Sequence, residues 1–114
     1  MKQRAFLKLY LYSIIQEQKQ YGQEYLHKLR EEFKPFGYKP THSEMYKILH
    51  ELTRDQLVTR EKKIRGERGI DFQEIIYYEL TDKGLEEYKL YKKQMKVELE
   101  RSTALLQKAL KDHY

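Results

Sequence analysis

The chain of 114 residues has no cysteine and only two prolines, and no uncharged apolar run approaches the roughly 18 residues needed to span a bilayer. Without cysteine there is no disulfide framework, thiolate metal site or cysteine nucleophile. Without the apolar run there is no transmembrane helix, and a membrane is not an expected partner. The start, Met1-Lys2-Gln3-Arg4-Ala5-Phe6, is charged but meets Lys8 before an apolar stretch develops, and no small-residue cleavage site follows, so a secretory signal is not expected. Glycine-rich phosphate loops and nucleophile elbows are missing too. The four histidines, at 27, 42, 50 and 113, lack metal-ligand spacing; His42 and His50 lie eight apart, too far for a paired helical site. No pair of acids sits in an apolar context that would tune a pKa. The expectation is a cytoplasmic protein that is no enzyme, with no catalytic residues, no metal and no cofactor.

What is present is charge and aromatic surface. There are 23 Lys+Arg against 18 Asp+Glu, a net of +5, and charged residues make up 36% of the chain. Hydrophobic residues, 39% with 13% aromatic, suffice for one core. That mixture suits an elongated helical domain with much surface better than a compact globule. Most of the eleven tyrosines, Tyr10, Tyr25, Tyr78, Tyr88 and Tyr91 among them, fall at core positions of their elements, which favours packing over base stacking. Tyr46 is the exception.

From Lys2 to about Lys19 the apolar residues Phe6, Leu7, Tyr10, Leu11, Ile14 and Ile15 recur at helical spacing, predicting a helix with a wide buried face. Gly22 interrupts, and Tyr25, Leu26, Leu29 and Phe33 define a second helix, stopped by Pro35-Phe36-Gly37-Tyr38-Lys39-Pro40. Thr41-His42-Ser43-Glu44 reads as a capping box. The third helix behind it buries Met45, Ile48, Leu49 and Leu52. His42, Ser43, Tyr46, Lys47, His50 and Arg54 lie mostly outside that stripe, as hydrogen-bonding residues of a groove-reading helix would.

The period then changes to two. Leu57 to Arg65 is a strand candidate, Gly66-Glu67-Arg68-Gly69 a turn, and the return strand puts Ile70, Phe72, Ile76, Tyr78 and Leu80 on one face and Asp71, Gln73, Ile75, Tyr77 and Glu79 on the other. Thr81 and Asp82 offer caps for a last helix of about thirty residues, roughly 45 Å long. Its stripe, Tyr88, Tyr91, Met95, Leu99, Ser102, Leu106 and Leu110, runs past the reach of an 80-residue core. A partner helix is the expected cover, most simply its own copy in a two-fold antiparallel pair.

Three helices and a hairpin give a mainly α (α+β) winged helix-turn-helix: residues 1–80 as a DNA-binding domain, with 81–114 as a dimerisation helix. Residues 1–40 carry 8 basic and 4 acidic side chains, and residues 41–55 carry 2 and 3. The wing stretch 60–68 sets Arg60, Lys62, Lys63, Arg65 and Arg68 against Glu61 and Glu67. Phosphate contact is therefore expected from the N-terminal segment and the wing, and base contact from the third helix.

Lys2-Gln3-Arg4-Ala5-Phe6-Leu7-Lys8-Leu9-Tyr10 and Leu90-Tyr91-Lys92-Lys93-Gln94-Met95-Lys96-Val97-Glu98-Leu99 resemble the replication terminator family of Bacillus, as do Phe36-Gly37-Tyr38-Lys39-Pro40 and His50-Glu51-Leu52. More distantly, Tyr46 and Tyr78-Glu79-Leu80-Thr81-Asp82-Lys83-Gly84 are similar to PadR-like winged-helix regulators. The first resemblance implies a symmetric dimer on specific double-stranded terminator DNA. It also implies two dimers cooperating on adjacent sites and arrest of the replicative helicase from one direction. Carried over by position, it points to Arg4, Ser43, Tyr46, Lys47 and His50, and to Lys62, Lys63, Arg65 and Arg68 in the wing. Two departures accompany it. The family has an extended arm before the Lys-Gln-Arg-Ala-Phe segment, where this chain has Met1, and the tip Gly66-Glu67-Arg68-Gly69 is unlike the family's. Arrest depends on a slowly dissociating complex, to which the arm contacts of the family would add, whereas DNA binding itself rests on the third helix and the wing. A PadR-like transcriptional regulator is the alternative, and a coiled-coil adaptor without DNA binding the remote one.

Overall fold

A computed structural model describes residues 3–17, 21–66 and 73–114. The order is α1 (Gln3–Glu17), α2 (Gly22–Phe33), a 3-10 turn (Lys34–Phe36), α3 (His42–Arg54), β1 (Val58–Arg65), β2 (Gln73–Leu80) and α4 (Asp82–His113). The expected turn residues Glu67, Arg68 and Gly69, and Ile70 to Phe72 of the return strand, lie outside the described residues.

The expected stripes make the core. Leu7, Leu11 and Ile15 of α1, Leu29 of α2, and Met45, Ile48, Leu49 and Leu52 of α3 are all but fully buried. Tyr12, which falls off the α1 stripe, joins them: its ring stacks on Tyr88 of α4 at 5.0 Å. Burial pushes its phenol up to about 12.

The link between α2 and α3 is held at Tyr38, Pro40 and Thr41. Tyr38 packs on Phe33 (5.3 Å) and donates to Glu44 at 3.0 Å, and Arg30 donates to the Pro40 carbonyl at 2.9 Å. Thr41 caps α3 by accepting from the Glu44 amide at 3.2 Å. The second half of the expected capping box is changed: the Glu44 carboxylate accepts from the Thr41 hydroxyl and the Tyr38 phenol.

β1 and β2 pair antiparallel from Val58↔Leu80 to Arg65↔Gln73. Tyr78 is buried as expected and meets Tyr25, with ring centroids 6.0 Å apart. Ile75, expected on the outward face, is 3% exposed instead. The start of α2 lies against this part of β2: Gln23 donates to the Glu74 carbonyl at 3.4 Å, and a Cβ on Gly22 would stand 3.1 Å from the Ile76 carbonyl. Burial here comes from a long-range contact, which alternation cannot register.

The hairpin, α3 and α4 meet at one point. The Leu57 carbonyl accepts from the Thr81 amide at 3.0 Å, and the Thr81 hydroxyl reaches the Gln56 and Leu57 carbonyls at 2.7 and 3.2 Å while accepting from the Gly84 amide at 2.9 Å. Gly84 is there because nothing larger fits: a Cβ would lie 1.8 Å from the Leu57 oxygen.

Helix α4 has 32 residues, so it runs about 48 Å. The molecule measures 64 × 30 × 21 Å with a radius of gyration of 17.0 Å, against about 13 Å for a compact chain of this length. None of the described helices is long and apolar enough to cross a membrane.

Two glycines separate two kinds of strain. Gly84→Ala should destabilise by about 1–3 kcal/mol, because backbone has to move. Gly37→Ala, at φ 73° in open space, should cost roughly 1–2 kcal/mol from the left-handed conformation alone. Thermal melting of both variants checks this. An unchanged midpoint for Gly84→Ala would refute the close approach.

Candidate nucleic-acid interface

Burying Met45, Ile48, Leu49 and Leu52 turns the opposite side of α3 outward. His42, Ser43, Tyr46, Lys47 and His50 are exposed there, Tyr46 at 43%. The His42 and Tyr46 rings stack, 7° from parallel with centroids 5.9 Å apart. Ser43, Tyr46, Lys47 and His50 thus share one face, at three- and four-residue spacing.

An open groove of about 560 Å³ separates α3 from the base of the hairpin, lined by Tyr46, Leu49, His50, Thr53, Arg54, Arg60 and Tyr78. The Arg60 guanidinium hydrogen-bonds the Tyr78 phenol, opposing burial, which raises that phenol above its ordinary value. Arg54 is held by Asp55 at 3.1 Å, and this hydrogen bond keeps the Asp55 carboxyl below the usual carboxylate range.

The expected phosphate contacts fall into three groups. Arg60 and Lys63 are exposed, and among the described residues neither they nor Lys47 have an acidic side chain within ion-pair distance. Lys62 and Arg4 are already paired. Lys62 meets Glu74 across the hairpin at 3.5 Å, and Arg4 forms an ion pair with Glu51 of α3. Arg65 ends β1 opposite Gln73, while Arg68 lies outside the described residues. Spacing along the chain announces neither pairing, since Arg4 and Glu51, like Lys62 and Glu74, stand on different elements.

The stripe of α4 divides in two. Tyr88, Tyr91 and Met95 are spent on the chain's own body. Tyr91 donates to the Ala5 carbonyl at 2.6 Å, and Lys8 sits 4.9 Å over its ring. Met95 is 4% exposed, beside an apolar groove of about 410 Å³ between α1 and α4 that Leu99 also lines. Ser102 is half-buried, while Leu106 and Leu110 stand out at 65% and 61% exposure.

With the exposed face of α3, a flanking wing and an overhanging helix in place, the likeness to known proteins is decisive: the replication terminator protein family matches residues 1–114. The chain belongs to that family. The replication termination protein of Bacillus subtilis is 46% identical over 114 residues, covering all of this chain and 90% of that protein. Among solved structures, a PadR-like transcriptional regulator from Bacillus cereus superposes with a TM-score of 0.67 at 24% identity, covering 91% of this chain and 94% of its own. Bacillus subtilis PadR in complex with operator DNA gives 0.58 at 26%, covering 75% and 45%. The terminator-family chain therefore has the winged-helix fold expected of it, with the long C-terminal helix attached.

The contacts between α1 and α4 set the direction in which that helix leaves the body. Tyr91→Phe removes only the bond to Ala5 and should lower stability by about 0.5–1.5 kcal/mol in urea unfolding. No loss would mean that the stacked rings alone hold the two helices.

Proposed function

We propose that the protein is a working replication terminator: a homodimer that binds specific double-stranded DNA, with two dimers on adjacent sites, and halts the replicative helicase arriving from one side. In this reading it acts in the cytoplasm on the nucleoid, residues 1–80 bind DNA and residues 81–114 join the two copies. The observation that carries the reading is the outward face of α3, with Ser43, Tyr46, Lys47 and His50, facing Arg60 across the groove, while Lys63 stands exposed farther along β1 and, among the described residues, neither cation has an acidic partner. Hydrogen-bonding side chains on a helix suit base edges, and flanking cations suit phosphates. Family membership supports the halting function, and PadR bound to operator DNA supports DNA as the ligand of this fold.

The exposed leucines of α4 support the dimer. A row of apolar side chains beyond the core is stable in water when a second helix covers it, and an antiparallel copy meets Leu99, Ser102, Leu106 and Leu110 with the same residues. That arrangement sets the separation of the two α3 helices and hence of the half-sites.

A transcriptional regulator is the second reading, favoured by the superposition on PadR-like proteins. Mapping the protein's occupancy on its host chromosome separates the two. Inverted sites opposite the origin support arrest, and promoter sites support regulation. Unwinding of a bound duplex by the replicative helicase should then stall in one orientation; equal passage in both would overturn the terminator reading.

Two sets of variants test the residues. Ser43→Ala, Lys47→Ala and His50→Ala should each cost about 1–3 kcal/mol on the selected duplex and little on random DNA. Arg60→Glu with Lys63→Glu should weaken both duplexes and flatten the slope of log affinity against log salt by about 0.9 per phosphate lost. Equal losses on both duplexes would remove a residue of the first set from base reading. Separately, Leu106→Glu with Leu110→Glu should give a monomer in sedimentation, and a persisting dimer would place the interface elsewhere.

A further inference from the structure

Arg4 and Glu51 join the first turn of α1 to the late part of the reading helix, as a half-exposed pair with 47% and 33% of their side chains accessible. Glu51 adjoins His50 and follows Lys47 by one turn, so its carboxylate stands at the edge of the face proposed to meet DNA. An acid there repels a phosphate unless its charge is cancelled, and Arg4 cancels it. In the observed geometry one terminal nitrogen of Arg4 serves the Glu51 carboxylate, and giving that nitrogen to a phosphate breaks the pair. The Arg4 backbone is meanwhile fixed, because the neighbouring Ala5 carbonyl is held by Tyr91 of α4. Only the side chain has a choice.

We propose that Glu51 is a specificity-determining residue: it occupies Arg4 on random DNA and releases it to a backbone phosphate only when base contacts by α3 bring the helix to full depth. The inference rests on the DNA-binding reading above. On a random duplex, breaking the pair exposes a carboxylate next to the backbone, with no base contacts to offset it. On the selected duplex the base contacts offset it, and Arg4 gains a phosphate. Glu51 thereby lowers affinity where sequence is wrong more than where it is right. This also accounts for the reading helix carrying an acid on its DNA side when the chain as a whole is basic.

The test measures equilibrium binding across a salt series, using the full-length wild type, Glu51→Gln, Arg4→Gln and the double variant. The probes are a random-sequence duplex and a duplex recovered with the protein from its host chromosome. Glu51→Gln should tighten the random duplex about two- to fivefold, the range of an exposed pair, and steepen its salt slope by about 0.9. The recovered duplex should tighten less, so the ratio of affinities falls. Arg4→Gln should flatten the slope on the recovered duplex by about 0.9 and leave the slope on the random one nearly unchanged, weakening the latter only through the uncancelled Glu51 charge, a pattern that a purely structural ion pair does not produce. In the double variant the gain on random DNA should vanish. An unchanged ratio and slope in Glu51→Gln, or an equal flattening of the slope on both duplexes by Arg4→Gln, would overturn the proposal. A wild type whose binding to both duplexes is absent or indifferent to salt would instead overturn the DNA-binding reading beneath it.

Discussion

The carbonyl of Leu57 is the joint of the molecule. It ends the turn out of α3, begins β1, receives the amide and hydroxyl of Thr81 as β2 ends, and lies against Gly84 as α4 begins. Four elements are oriented by one oxygen. The residues around it are chosen for that: Gln56 takes a φ of 61° to make the turn, Thr81 supplies an acceptor and a donor in one side chain, and Gly84 offers no Cβ. The Leu-Thr-x-x-Gly run at 80–84 is thus a geometric requirement of attaching a long helix to a wing.

Much of this was readable in the residues, and what escaped shares a physical cause. Helix stripes, the Thr41 and Thr81 caps and the change of period at Leu57 are local signals, and each stands where expected. Tyr12, Ile75 and Glu51 are different. Each owes its surroundings to an element distant in sequence: α4 stacks on Tyr12, the start of α2 lies by Ile75, and α1 sends Arg4 to Glu51. The α4 stripe shows the same limit from another side. Spacing tells that Tyr88 and Leu106 lie along one helix, but not that the first meets α1 and the second is left exposed.

The candidate site was legible in kind more than in detail. The outward residues of α3 follow from subtracting its buried stripe, a computation that needs only the period of the helix. The basic side chains were harder, because charge counts do not say which cations are already neutralised. Arg4 and Lys62 have acidic partners, and Arg60 leans on a phenol. The fixed connector from Pro35 to Pro40 matters here as well. Through the Arg30 bond to the Pro40 carbonyl and the Tyr38 bond to Glu44, it sets the angle at which α3 leaves α2 and so the direction in which the outward face of α3 points.

The overhang of α4 also has a consequence for the cell's supply of this protein. Beyond Leu99 the helix has almost no contact with its own body, and isolated helices of that length are marginal in water. In the proposed dimer, its order is then contributed by the second copy, which makes stability depend on protomer concentration. Occupancy of a site needing paired subunits rises more steeply than in direct proportion to copy number. The same exposed leucines would thus make the chain a counter of its own abundance, nearly empty sites giving way to full ones over a narrow range of synthesis.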